Sequence, residues 1–360
     1  MELLPKALGT RPRLACEIRA EGVVSARAED ASGVLVAVSR ADLVDGVMAA
    51  GLKVGNIVDR AAVVAAVRST LDAVVGKGSE RTRDVTLIVP DAAVRVLLLD
   101  FDMLPGKAAE ALPVVRFRLK KLLPFDAEDA VVSYQVMSSA RDLVRVMAVA
   151  MPREVLAEYE AVVSAAGYAA GAVLPSTLAA LAGLEESDAA TLVVNASQHQ
   201  VTTAIVQGGV LMLHRSLDMT ETIGMELPVV MLTVDREDST PEWAGQEAMS
   251  AGEARQADVI DVVEIRESTE AAAAREVTQA VSVAAAYFED TLRAAPQVVM
   301  AAGTLGAETL DQMLRMSGLE GLRVMELMEA SMIAAGAVTM NGSGKPRRGW
   351  LAGVRGALTS

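Results

Sequence analysis

The residues best placed to meet a phosphate lie in TLVVNASQHQVTTAIVQGGVLMLHRSL, residues 191–217. Its apolar runs flank a polar turn and then the pair Gly208-Gly209, a pattern of strand, turn, strand, Gly-Gly turn, strand. A turn of this kind holds phosphate when a glycine lets backbone N–H groups approach the oxygens and an aspartate orients Mg²⁺ and its waters. Asn195 and Ser197 stand at those places, so the outline is kept without the charge or the open glycine. The two histidines, His199 and His214, fall in the same hairpin among uncharged or apolar neighbours. They read as a turn residue and a strand residue with ordinary hydrogen bonds, not as metal ligands or the base of a catalytic triad. Cys16 is the single cysteine, which excludes an intrachain disulfide and a thiolate metal cluster. Cations crowd one helix, KAAEALPVVRFRLKKLL, where Arg116, Arg118, Lys120 and Lys121 form either a site for an acidic partner or a solvated face. The C-terminal stretch GKPRRGWLAGVRGALTS, with Lys345, Arg347, Arg348 and Arg355 beside Trp350 and Leu351, reads as a disordered basic tail, the alternative being a segment that docks on a membrane or partner.

The elements that position these groups follow from composition and pattern. The chain has 360 residues, 52% hydrophobic but only 3% aromatic. That length suits several domains or two lobes, and that composition suits helices packed on buried β-branched strands. The formal net charge of -14 disfavours nucleic acid and direct docking of the body on anionic lipid. No secretory signal is evident at the N-terminus. Residues 161–184 carry no charge and are long enough to cross a bilayer. However, Gly167-Tyr168 ends a helix there, AGAVL is a strand, and Pro175-Ser176-Thr177 opens the next helix, so no span is expected.

Residues 13–40 are strand-rich, a helix capped by Asp59 follows, and VTLIVPD and VRVLLLDF are strands. After Leu104-Pro105-Gly106 the order becomes helix, strand, strand, helix, which marks an inserted subdomain. Beyond residue 190 the opening pattern returns as a hairpin, a long polar middle, a helix and a strand. Both halves begin alike, so duplicated α/β lobes facing a cleft are expected. The predicted division is an N-terminal extension (1–12), a first lobe (13–101 and 173–190), an inserted subdomain (102–172), a second lobe (191–340) with a variable subdomain at 235–271, and the tail (341–360).

The stretch ALPVVRFRLKKLLPFDAEDAVVSYQVM, residues 111–137, resembles the PilM family of actin-like type IV pilus assembly proteins. VRVMAVAMPREVLAEYEAVVSAAGY, AYFEDTLRAAPQVVMAAGTLGAETLDQML and the closing ASMIAAGAVTM extend the resemblance in consistent order over residues 13–340. It implies an α/β, actin-like (ribonuclease H-like, duplicated) two-lobed fold with an inserted subdomain in the first lobe. It also implies ATP in the cleft and a grip on the cytoplasmic N-terminal peptide of PilN, a membrane-anchored partner that links pilus platform components. The protein would then be cytoplasmic and peripheral to the inner membrane. Three nucleotide motifs depart from the family. Its first hairpin reads Asp-Ile-Gly where this chain has Glu17-Ile18-Arg19, its second turn is replaced at Asn195 and Ser197, and its Gly-Gly pair is Ala302-Gly303 here. These losses predict weak or absent binding of ATP and Mg²⁺ and a scaffold, not an enzyme. Alternative readings are an active actin-fold ATPase and a filament-forming cell-division relative. For the partner peptide, Arg116 or Lys120 is a candidate for the rim, and Phe117, Leu122, Leu123 and Phe125 are candidates for an apolar floor or its supporting core, at the junction of insert and first lobe. MELLPKAL resembles the Leu-Leu-Pro of the partner peptides, which predicts self-association through residues 1–8.

Overall fold

The computed structural model describes residues 12–75, 83–185, 187–219, 272–319, 321–339 and 346–359. Residues 1–8, the variable subdomain 235–271 and Lys345 lie outside these segments. The chain opens with β1 (Leu14–Arg19), β2 (Gly22–Ala28), β3 (Leu35–Asp42), α1 (Arg60–Val74) and β4 (Asp84–Val89). After a 3-10 turn at Asp91–Ala93 come β5 (Arg95–Phe101), α2 (Ala108–Leu119), β6 (Ala130–Ala140) and β7 (Leu143–Pro152). Then follow α3 (Arg153–Ala165), β8 (Ala169–Pro175) and α4 (Ser176–Leu181). The second half has β9 (Thr191–Ala196), β10 (Gln200–Gln207), β11 (Val210–Asp218), a helix α5 over 272–292, β12 (Val298–Ala302), α6 (Ala307–Met316) and β13 (Arg323–Glu326). The chain closes with β14 (Val338–Thr339) and α7 (Arg348–Leu358).

Two sheets repeat one topology. The first runs β14-β3-β2-β1-β4-β8 and the second β11-β10-β9-β12-β13. In each, three antiparallel strands are followed by two parallel ones, and the inner strand, β1 or β9, lies between its hairpin partner and a parallel strand. This is the duplication expected from the two similar halves. Because β1 is central, all six of its residues are buried, Glu17 included. Helix α1 starts where the Ala62 N–H donates to Asp59 Oδ1 at 3.0 Å, the predicted cap. It lays Val63, Val67, Leu71 and Val74 on the first sheet, in one core with Ile18, Val85 and Leu87.

The expected boundaries shift in three places. The insert is a three-stranded sheet, β5-β7-β6, with α2 over it, so β5 belongs to it. Helix α3 and strand β8 belong instead to the first lobe, because Val155 and Tyr159 join its core and β8 pairs in parallel with β4. The chain also returns to the first lobe before residue 340, where β14 pairs with β3.

A further correction is the largest. Residues 348–358, expected as a tail, form the buried helix α7, whose Trp350, Leu351, Val354 and Ala357 share a core with Ala15, Val24 and Ile88. The sequence hides this helix because its packing face is made of glycines. A Cβ at Gly356 would stand 1.9 Å from the Ala179 carbonyl of α4. Arg355 bonds the Gly183 carbonyl at 2.6 Å and Arg347 the Leu305 carbonyl at 2.7 Å, so two of the cations are tied to backbone carbonyls of other segments, while Arg348 stays exposed. Within 161–184, α3 stops at Ala165 and the chain turns into β8, as expected. No helix among the described residues is long and apolar enough to cross a membrane.

Candidate functional site

The two equivalent hairpins bring their ends together at the bottom of a cleft. Glu17 near the end of β1 pairs across to Val24, and Asn195 near the end of β9 pairs across to Thr202. Each lies beside the parallel strand of its own sheet, Glu17 at Ile88 and Asn195 at Ala302. These are the positions at which the fold offers groups to a ligand, since side chains at strand ends converge where the two sheets face each other.

Arg19 spans the gap. Its Nε donates to Glu17 Oε1 at 2.7 Å, and its Nη2 donates to Asn195 Oδ1 at 3.0 Å and to the hydroxyl of Ser176 at the start of α4. Ser176 in turn donates to Glu17 Oε1 at 2.6 Å. The guanidinium is thus enclosed, 8% exposed. Burial alone would lower its pKa, but Glu17 and Glu21 more than offset this and raise it above the usual arginine value, so Arg19 stays charged, while burial raises the pKa of Glu17.

A second acid completes the network. Asp91, on the 3-10 turn after β4, accepts from the Thr177 backbone N–H at 3.0 Å, from the Thr177 hydroxyl, and from Thr202 at 3.1 Å. The Asn195 amide group donates to Ser176 at 3.0 Å, to Thr177 at 2.9 Å and to Asp91 at 3.5 Å. Asn195 therefore faces a cation with its carbonyl and an anion with its amide. An aspartate there would set a second carboxylate against Asp91.

The remaining predicted cleft residues serve the same closure. The Ser197 hydroxyl and backbone N–H bond back to the Gln200 carbonyl, at 3.3 and 2.8 Å, and shape the turn. Glu21 Oε1 accepts from the Gln198 N–H at 2.8 Å and from Thr304 at 3.2 Å, another link between lobes. Ala302 is buried beside Ala180 and Ala352, filling space with a methyl group. Gly303 has φ +92°, and a Cβ on it would lie 2.2 Å from the Ala196 carbonyl, so glycine is required there by the second hairpin.

Above this floor lies a cavity of about 400 Å³, lined by Arg19, Glu21, Met48, Ser197, His199 and Asp218 among others. No group of three or more His, Cys, Asp or Glu side chains able to hold a metal occurs among the described residues. Burial pushes the Cys16 thiol up to about 12, so it is not a nucleophile at neutral pH. His214 lies on β11 as expected, but its Nε2 is buried without a hydrogen-bond partner, contrary to the ordinary bonding anticipated. Sequence reasoning missed Asp91, Ser176 and Thr177. The available signal was an acid directly after Pro90 at the end of a buried parallel strand, and a Ser-Thr pair opening a helix.

On the insert, the predicted partner residues separate. Arg116 turns inward and donates to the Ala127 carbonyl at 2.8 Å and the Ala130 carbonyl at 3.2 Å, so it is not a free rim cation. Leu123 and Phe125 pack against the insert's core, the supporting role allowed for them. Lys120 pairs with Glu128 at the surface, and Phe117 stands in solvent, so it is no part of an apolar floor. A groove of about 420 Å³ lies on the insert's other side, between β5 and β11. Each of these strands is the edge of its sheet. Leu98, Met137, Met212 and Leu213 line the groove with Tyr287, whose hydroxyl bonds the Met212 carbonyl at 3.2 Å.

Two duplicated lobes, an insert between β4 and α3, and strand-end hairpins meeting over a cleft define the actin-like fold. The solved PilM of the PilM–PilN type IV pilus biogenesis complex has this fold, with a TM-score of 0.66 and 16% identity over 97% of this chain and 100% of that one. Looser likenesses include the ethanolamine utilization protein EutJ from Carboxydothermus hydrogenoformans (TM-score 0.44, 13% identity, 99% and 94% covered). The cytoplasmic domain of EpsL from the type II secretion system of Vibrio cholerae is another (TM-score 0.37, 14% identity, 57% and 70% covered). No family model and no curated sequence matches the chain. The PilM-like, actin-like fold implied by the sequence resemblance is the fold found.

Proposed function

We propose that this chain is a nucleotide-independent scaffold of type IV pilus assembly, which grips the cytoplasmic N-terminal peptide of a membrane-anchored PilN-like protein with its inserted subdomain. The observation that carries the reading is the groove between β5 and β11, where two strands that are sheet edges among the described residues flank apolar side chains. An extended peptide binds such a place by adding its backbone to an open edge and seating alternate side chains in apolar hollows. The likeness to a PilM from a PilM–PilN complex supports the choice of partner. The Arg19 network supports the absence of a nucleotide role. One oxygen of Glu17, the acid left in the first hairpin, is taken by Arg19 and Ser176, and the second hairpin offers a neutral amide where a metal would need a charge. Held in this way at the inner face of the membrane by its partner, the protein binds peptide and turns over no substrate.

Fluorescence anisotropy with a labelled peptide from the N-terminus of the cognate PilN-like protein tests this. The peptide is expected to bind without ATP, and Leu98→Arg or Met212→Arg to weaken it at least about tenfold, the loss of one buried apolar anchor. Unchanged affinity in both variants, or binding only when Mg·ATP is added, would overturn the proposal.

A further inference from the structure

Helix α2 divides its side chains between core and solvent. Ala111, Val115 and Leu119 are buried against the insert's sheet. On the outer side Val114 and Phe117 follow one another by a turn, and Phe117 is 69% exposed, more than any other aromatic among the described residues. Met103, shortly before the helix, is 81% exposed, and Leu122, just past its end, 49%. Two cations frame these tips. Arg118 and Lys121 are exposed and have no ion pair or hydrogen bond among the described residues. Lys107 and Lys120, by contrast, are paired with Glu110 and Glu128. The insert is also less acidic than the chain as a whole. Over 95–152 the basic residues outnumber the acidic by one, while the whole chain carries -14.

We infer that this face rests on an anionic lipid surface, with Phe117, Met103 and Leu122 entering the headgroup layer and Arg118 and Lys121 meeting lipid phosphates. The outer side of the helix carries protruding apolar side chains, Val114 and Phe117. A protein partner would have to bring its own hollow, whereas a bilayer interface accepts protrusions of this kind. Long cationic side chains can lie along the apolar boundary while their charged ends stay among the phosphates. Each such cation strengthens binding to an anionic leaflet about fivefold, and the effect fades with salt. The acidic remainder of the chain is repelled by the same surface, so the contact is weak and the insert faces the lipid. The inference is independent of the peptide reading, because the outer face of α2 shares no residue with the groove between β5 and β11.

Co-sedimentation of the full chain with lipid vesicles, in the absence of any partner peptide, tests the inference. At low salt the protein is expected to pellet with vesicles containing phosphatidylglycerol, to stay in solution with pure phosphatidylcholine, and to be released by added salt. Phe117→Glu, and separately Arg118→Glu with Lys121→Glu, should each reduce the bound fraction at least about fivefold while circular dichroism and the unfolding midpoint stay unchanged. Absence of pelleting at low salt, equal pelleting with the neutral vesicles, or unchanged pelleting of both variants would overturn the inference. So would capture of a polyglutamate peptide by the same residues with no lipid binding, which would mark the face as a site for an acidic protein.

Discussion

Arg19 at the cleft floor and Arg118 on the insert are both short steps from apolar residues, yet the chain uses them in opposite ways. Arg19 is 8% exposed and bonds to Glu17, Ser176 and Asn195 on three separate elements. Arg118 is exposed beside Phe117 with no partner among the described residues. The first charge is spent inside the fold, joining two lobes, and the second remains available to something outside it. In an actin-like protein the cleft is where a ligand would be expected. Here the cleft floor is bridged by the protein's own side chains through Glu17 Oε1, with Glu17 Oε2 left buried without a hydrogen-bond partner, and a second exposed surface lies on the insert.

That contrast is sharpest under substitution. Arg19→Met leaves Glu17 buried without its counter-charge, beside Asp91, and is expected to cost about 3–5 kcal/mol in denaturant unfolding. Replacing Glu17 as well, in an Arg19→Met/Glu17→Met double variant, should restore much of the loss. If the single and double variants lose equally, or neither loses stability, the floor is not the joint between lobes. A smaller effect attaches to His214. Burial lowers its pKa, so the folded state resists a proton that the unfolded state accepts. Below the ordinary imidazole value of about 6.5 the unfolded state binds more protons, and stability falls as pH drops. His214→Leu should flatten the unfolding midpoint over that range, and an unaltered pH profile would exclude the residue as its source. Least of all, Phe117→Glu should change stability by no more than about 0.5 kcal/mol, because that residue is 69% exposed. A larger loss would place Phe117 in the fold and not on a free face.

Much of this architecture was legible in the sequence. The repeated strand-turn-strand openings and the LPFD-strand module led to two lobes and an insert, since period and turn chemistry act locally. Asp59 was legible as a cap for the same reason. The buried helix α7 was not. Its small residues, Gly349, Gly353 and Gly356, carry no periodic apolar signal, and its arginines suggested solvent. Glycines are required there by close approaches from residues far apart in the chain, Glu17 at Gly353 and the α4 backbone at Gly356. The site divides likewise. The loss of the nucleotide motifs at Arg19, Asn195 and Ala302 could be read from residue types alone. That Arg19 would reach Asn195, and that Asp91 would need the Asn195 amide, depends on how the second lobe sits over the first. Arg116 was misplaced because a charge on a helix gives no sign of which carbonyls lie within its reach.

The most direct test of a cleft closed by its own side chains is the thermal unfolding of the full chain with and without saturating Mg·ATP. A ligand present at a hundred times its Kd stabilises the folded state by about 2.7 kcal/mol, which shifts a midpoint by several degrees. The account predicts no shift. A rise in the midpoint that requires both ATP and Mg²⁺ would contradict it, because the nucleotide would then be holding the lobes that Arg19 is held to join.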